Sequence, residues 1–326
     1  MFFTLHRGRN FDACLPADHI YGMLGLPALE SLSQAVVLDY TKDSQTLFQQ
    51  VVRISVKQQG NLDALSFAQH SGGVPFHRPT WVAQWDEKIC LNLLFGFSIF
   101  TRRRSNADRS SAVQTKFSGD YMLSTGVCLD SIESRLKIDS SYWFDESSLA
   151  DVDDHPLLTF IRTNAKNGNK YLRSSAVLAY GRTLAGGVDG DFFGDNQAGD
   201  DSPGIVGFCQ YVVELMKGAG ESPDSYSDFE LDMEGVWQTY AFYASTKMWN
   251  RCIFTTRKGY VGSRRDLLQS SDKICVLFGG RVPYILRPQQ HYYQLIGEAY
   301  LDGFMEGKAM DMLDRGELAE EVFEIH

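Results

Sequence analysis

The chain has 326 residues, which gives room for roughly two domains of about 150 residues each. Its 44% hydrophobic and 22% charged content is that of a folded protein and excludes disorder as the main state. A formal net charge of -10 argues against nucleic acid and anionic membranes as partners, since both are bound through clustered Lys and Arg.

The first residues, Met1 to Arg7, do not form a signal peptide, because the apolar run is too short and a charge interrupts it. The most apolar stretch, residues 89 to 100, is too short to span a bilayer. A cytoplasmic protein without a membrane span is the expectation. Cys14, Cys90, Cys128, Cys209, Cys252 and Cys275 are scattered with no C-x-x-C, and most sit among apolar residues. That pattern fits buried free thiols better than a disulfide framework.

In chain order, Thr41 to Gln59 predicts an amphipathic helix through Leu47, Val51 and Ile54, capped by Thr41 or Ser44 and ended by Gly60. Residues 61 to 80 read as loop. Trp81 and Trp85 follow, four apart and on one face if helical, as either a core pair or a pocket wall. Arg102-Arg103-Arg104 reads as a solvated loop. Helices are predicted from Pro156 to about Lys166, from about Leu172 to Leu184, and from Pro203 to Met216 with Gly218 ending it. Residues 186 to 195 are rich in Gly and Asp and must be loop. The longest helix runs from about Phe229 to Asn250, with Trp237, Tyr240, Ala244 and Met248 on its apolar stripe. Beyond Arg251, short β-rich runs at 252–256, 273–278, 284–286 and 292–297 alternate with Gly and Pro. The expected fold class is α+β: a mainly helical body over 1–250, then a small antiparallel β-sheet or partial barrel over 251–326 packed on the helices.

No motif names a reaction. The nucleophile elbow, the phosphate-binding Gly loop, the zinc-protease helix and the dinucleotide fingerprint are all missing from the sequence. Asp189, Asp191, Asp195 and Asp200 resemble part of a calcium loop, but Phe193 stands where an oxygen ligand is needed. His70 and His77 flank a Gly-Pro loop without a carboxylate or Cys partner, so no metal site is assigned. Glu298 is either a proton-transfer group or a sheet-end salt bridge. The 13% aromatic content suits the walls of an apolar pocket as well as a plain core.

Several segments, in order, resemble fungal heterokaryon-incompatibility (HET) proteins. Residues 16 to 26, Pro-Ala-Asp-His-Ile-Tyr-Gly-Met-Leu-Gly-Leu, are similar to the family's DPRDKIYALLGL segment, with Ala17 and His19 departing from it. Asp39-Tyr40 and the following helix match its next feature. Thr255 to Gly262, Asp272 to Leu277, Gly280 to Arg287 and Ile296 to Gly307 resemble its closing β region. In the family a TIR-like HET domain, the effector of cell death, precedes the first segment, and this chain is expected to lack it.

The resemblance then implies one of two roles. The first is a stand-alone chain recruited to fungal secondary metabolism as a cofactor-independent cyclase, performing an intramolecular Diels–Alder reaction on a small hydrophobic terpenoid. No metal, nucleotide or redox cofactor is implied. Trp81, Trp85 and Trp237, with Tyr240, are the candidate walls, and Tyr240, His19 or Arg251 the candidate hydrogen-bond donor; each is also a plausible structural residue. The second role is a non-enzymatic recognition or interaction module with a protein partner. A cyclase needs an enclosed apolar pocket, whereas an interaction module exposes an apolar patch.

Overall fold

The structure, a computed structural model, describes residues 1–70, 73–75, 77–88, 105–137, 155, 157–159, 162, 175–186, 203–220, 236–248 and 250–326. The Arg102–Arg104 loop, Cys90, the 89–100 stretch, most of the 156–166 helix, nearly all of the Gly/Asp-rich 186–200 segment and residues 229–235 lie outside the described residues.

The N-terminal part holds α1 (Phe2–Gly8), α2 (Asp18–Tyr21), α3 (Glu30–Ser33) and α4 (Ser44–Gln59). Helix α4 forms because Leu47, Phe48, Val51, Val52 and Val56 recur on one face, which is buried. Its cap is Asp43, which lies between the two sequence candidates. The Asp43 carboxylate accepts from the Gln45 and Thr46 backbone N–H groups at 2.8 and 3.1 Å, a contact worth about 1 kcal/mol. Gly60 ends the helix in the left-handed conformation at φ 63°, as the sequence predicts. Trp81 and Trp85 are both fully buried, but they sit in turns rather than on a helix.

The expected helical body with a small C-terminal sheet is incorrect. The described residues contain one large mixed sheet of nine strands, and it begins well before residue 251. Strand β1 (Thr115–Ser118) and the 17-residue β2 (Tyr121–Lys137) form a hairpin over Gly119 and Asp120. The later strands are β3 (Arg251–Thr256), β4 (Val261–Arg265), β5 (Lys273–Leu277), β6 (Tyr284–Pro288), β7 (Tyr293–Glu298), β8 (Tyr300–Leu301) and β9 (Glu320–Ile325).

Strand β2 organises the sheet. It pairs with β1, β9 and β5 along its first part and with β3 along its last, with register shifts at Cys128/Asp130 within the β5 ladder and at Ile132/Ser134 within the β3 ladder. The strand signal is easily missed because Ser124, Gly126, Asp130 and Ser131 interrupt its apolar residues. The pairings β2–β5, β5–β6, β6–β7, β7–β9 and β9–β2 form a closed circuit. The β7–β9 link is parallel and short, a single register pair, Tyr293 with Ile325, next to a bond from the His326 N–H to the Tyr293 carbonyl.

Strands β5 to β7 are buried on both faces, so they read as continuous apolar runs. Cys275, Leu277, Tyr284, Leu286 and Leu295, with Phe323 and Ile325 of β9, join the core of the N-terminal helices. Ile274, Val276, Ile285 and Ile296 join a second core with Val127, Leu129 and Phe254, closed by α8 (Lys308–Asp314). A third core sits where α5 (Ser175–Leu184), α6 (Pro203–Gly218) and α7 (Val236–Met248) meet Ile253 of β3 and Val261 of β4. Helix α6 starts at Pro203, as predicted. No helix among the described residues is long and apolar enough to cross a membrane.

Candidate functional site

An aromatic grouping lies among α5, α6 and α7. The Tyr211 ring stacks on Trp237 at 6.4 Å between centroids and lies 6.2 Å from Tyr240, and Phe208 packs 5.5 Å from Tyr240. Gly181 makes this packing possible. A Cβ there would come within 2.7 Å of the Phe208 ring, so only glycine lets α5 and α6 approach this closely. The freed backbone is used at once, since the Tyr240 hydroxyl donates to the Gly181 carbonyl at 3.0 Å. His155 abuts the group, its ring 6.5 Å from Tyr211 and its Nδ1 accepting from the Leu157 N–H at 3.2 Å.

Burial pushes the Tyr180 and Tyr211 hydroxyls well above the ordinary tyrosine pKa, because a phenolate loses its water there. Both remain protonated across the physiological range and can act as hydrogen-bond donors. Trp237 is half-buried at the margin of the group.

A charged seam adjoins these helices. Arg251, three residues after α7, faces Glu298 of β7 at 3.6 Å, with side chains only 5% and 2% exposed. Glu298 is therefore in a salt bridge, the structural alternative of its two sequence readings. Arg182 of α5 holds Asp302 through Nε and Nη2 at 2.8 and 2.9 Å, and the Tyr300 hydroxyl donates to Asp302 at 3.1 Å. Arg264 is fully buried, bonding the Ile296 carbonyl and, at 3.0 Å, the Arg265 carbonyl. Burial first, and then repulsion from Arg251 and Arg265, lowers its pKa to about 9. Gly297, at φ 141°, leaves the space its guanidinium occupies. Burial and the Arg251 charge also lower the pKa of Lys247.

The six sequence candidates fall into two groups. Trp237 and Tyr240 of α7 lie together against Tyr211, and Arg251 follows the C-terminal end of that helix at the start of β3, paired with Glu298. His19, Trp81 and Trp85 belong to the N-terminal part. His19 donates from Nδ1 to the Gly8 carbonyl at 3.1 Å. Trp81 donates to the Asp120 carbonyl at 2.9 Å. Trp85 stacks on Phe2 at 6.0 Å and carries the Arg9 guanidinium 4.6 Å above its ring. Tyr211, Gly181, Arg264 and the Arg182–Asp302 pair were not singled out from the sequence. A charged residue inside a short strand gives no signal that it is buried, and Tyr211 looks like any apolar-face residue of α6.

Comparison with known proteins bears on this same region. Residues 212–319 match the family profile of the Het-6 beta-barrel domain. Heterokaryon incompatibility protein 6, OR allele, of Neurospora crassa is 41% identical over 87 residues, which is 26% of this chain and 13% of that protein. The match thus spans a small part of the relative's length. Both likenesses are to heterokaryon-incompatibility proteins, and each covers only part of this chain. No solved structure matches the chain. Strands β3 to β8 lie inside the matched range, whereas β2 and β9, which complete the closed circuit, lie outside it.

Proposed function

We propose that the protein is a cofactor-independent cyclase that catalyses an intramolecular Diels–Alder reaction on a terpenoid, using the aromatic group at α5–α7 and the adjoining β3. The observation that carries this reading is the convergence of Trp237, Tyr211 and Tyr240. A cycloaddition moves no protons and needs no nucleophile, which suits a chain without a catalytic motif. Aromatic walls would fold the flexible skeleton so that diene and dienophile meet, replacing an improbable encounter with a held geometry. A neutral tyrosine hydroxyl or the Arg251 guanidinium would donate a hydrogen bond to a carbonyl on the dienophile and stabilise the charge that develops there. Trp237, half-buried at the margin, would line the entry.

A second reading, a module that binds a protein partner, is favoured by a different observation. Of the large exposed hydrophobic side chains, Phe11, Leu15, Leu26, Val37, Leu38 and Tyr40 all come from one 30-residue segment, with Val37 77% exposed. Tyr40 bonds Asp18 at 2.9 Å, and Asp18 also holds the Leu15 N–H, so part of this apolar surface is contiguous.

Hydrogen exchange with an unreactive substrate analogue separates the two. A terpenoid aldehyde with its diene saturated should slow exchange in Ser175–Leu184, Pro203–Gly218 and Val236–Met248. Protection confined to residues 11–40, or none at saturating analogue, would sink the cyclase reading.

A further inference from the structure

Cys128 of β2 and Cys275 of β5 are direct cross-strand partners. The Phe278 N–H bonds the Thr125 carbonyl, so Thr125–Phe278 is a hydrogen-bonded pair. Pair types alternate along an antiparallel ladder, which makes Val127–Val276 the next such pair and puts Cys128–Cys275 at a non-hydrogen-bonded position. Opposed Cα atoms are closest there, at about 4.5 Å. A disulfide accepts Cα separations of about 4.4 to 6.8 Å, so this pair can be bridged without moving either strand. Both thiols are free, and the Cys128 thiol contacts the Asp130 carbonyl at 3.8 Å.

The two thiols are unequal. Cys128 is half-buried and can be reached from solvent, while Cys275 is fully buried. The Cys275 thiol, and after it the Lys273 charge, favour the Cys128 thiolate and hold its pKa below the ordinary value despite partial burial. Burial raises that of Cys275. An accessible, activated thiol beside a sheltered second one is the arrangement of an attacking and a resolving cysteine.

We propose that Cys128 and Cys275 form a reversible two-electron redox site that reacts with low-molecular-weight disulfides such as oxidised glutathione. The Cys128 thiolate attacks one sulfur of the oxidant, forming a mixed disulfide and releasing one glutathione thiolate, which takes up the Cys275 proton. The Cys275 sulfur then attacks Cys128, the mixed disulfide breaks, and the second glutathione leaves as a thiolate that takes the other proton. The two protein thiols lose two electrons and two protons, and one oxidised glutathione becomes two reduced ones. The new bond joins neighbouring strands within the closed circuit. This site is independent of the proposed cyclisation.

The test uses the full chain with Cys14→Ser and Cys90→Ser, which removes the exposed thiol among the described residues and the one outside them. After exposure to oxidised glutathione, free thiols are alkylated and peptides mapped by mass without reduction. The expected product is a Cys128–Cys275 linked peptide with the net loss of two hydrogens, reversed by dithiothreitol. In Cys275→Ser the mixed disulfide should persist at Cys128, and in Cys128→Ser the Cys275 thiol should stay unreacted. The parent result stands alone if a variant fails to fold. Two free thiols after prolonged oxidation, or a stable glutathione adduct on Cys128 in the parent, would overturn the proposal.

Discussion

His70 is buried between the N-terminal helices and β7, and its Nε2–H donates to the Leu295 carbonyl at 2.9 Å. Burial outweighs that bond and lowers its pKa from 6.5 to about 4. The unfolded chain therefore takes up a proton near pH 6.5 that the folded chain resists until about pH 4. The His70 contribution is complete above pH 6.5 and is lost as the pH falls toward 4, up to about 3 kcal/mol in all. Thermal unfolding followed across this window should show a falling melting temperature on acidification. His70→Gln, which keeps a donor for Leu295 but cannot titrate, should flatten that dependence. An unchanged slope in the variant would assign the acid sensitivity to other groups. The same scale shows what sequence reading can detect. Buried thiols at Cys209, Cys252 and Cys275 follow from their apolar neighbours. The burial of Arg264 does not, because it depends on a carbonyl of β7 and on the space left by Gly297.

Among the elements, β9 pairs with β2 along its whole length but buries few side chains. Its outward residues, Val322 among them, are exposed, and only Phe323 and Ile325 are buried, yet it supplies the link from β7 to β2. Phe323→Ala should cost about 3 to 5 kcal/mol in denaturant unfolding, as a buried aromatic truncation does. A loss below 1 kcal/mol would mean that β9 is dispensable to the circuit. Helices with a strong local pattern were legible: α4 through its stripe and Gly60, and α6 through Pro203. Strands β3, β5, β6 and β7 were legible too, as short apolar runs between Gly and Pro. Strand β2 was not, because its ladders shift register twice and it carries polar residues at both shifts. Missing β2 hid the size of the sheet, since it is the strand to which β1, β3, β5 and β9 all pair.

For the whole molecule, the consequence is that the strands following residue 250 are not an appendage to a helical body. They share one sheet with β2, and the helices pack on its surfaces in three cores. This divides the candidate residues. Trp81, Trp85 and His19 support the N-terminal core, whereas Trp237 and Tyr240 belong to α7 and Arg251 begins β3. The family likeness explains the barrel strands but leaves the reaction to be tested, because the curated relative is matched over only 13% of its length. The most direct measurement is a product assay on the purified chain with a terpenoid that carries a cyclopentadiene and an unsaturated aldehyde. The account predicts faster formation of a single cycloadduct than in buffer or with boiled protein, without added cofactor, and loss of that acceleration in Trp237→Ala. Equal rates and equal product ratios with and without folded protein would contradict it.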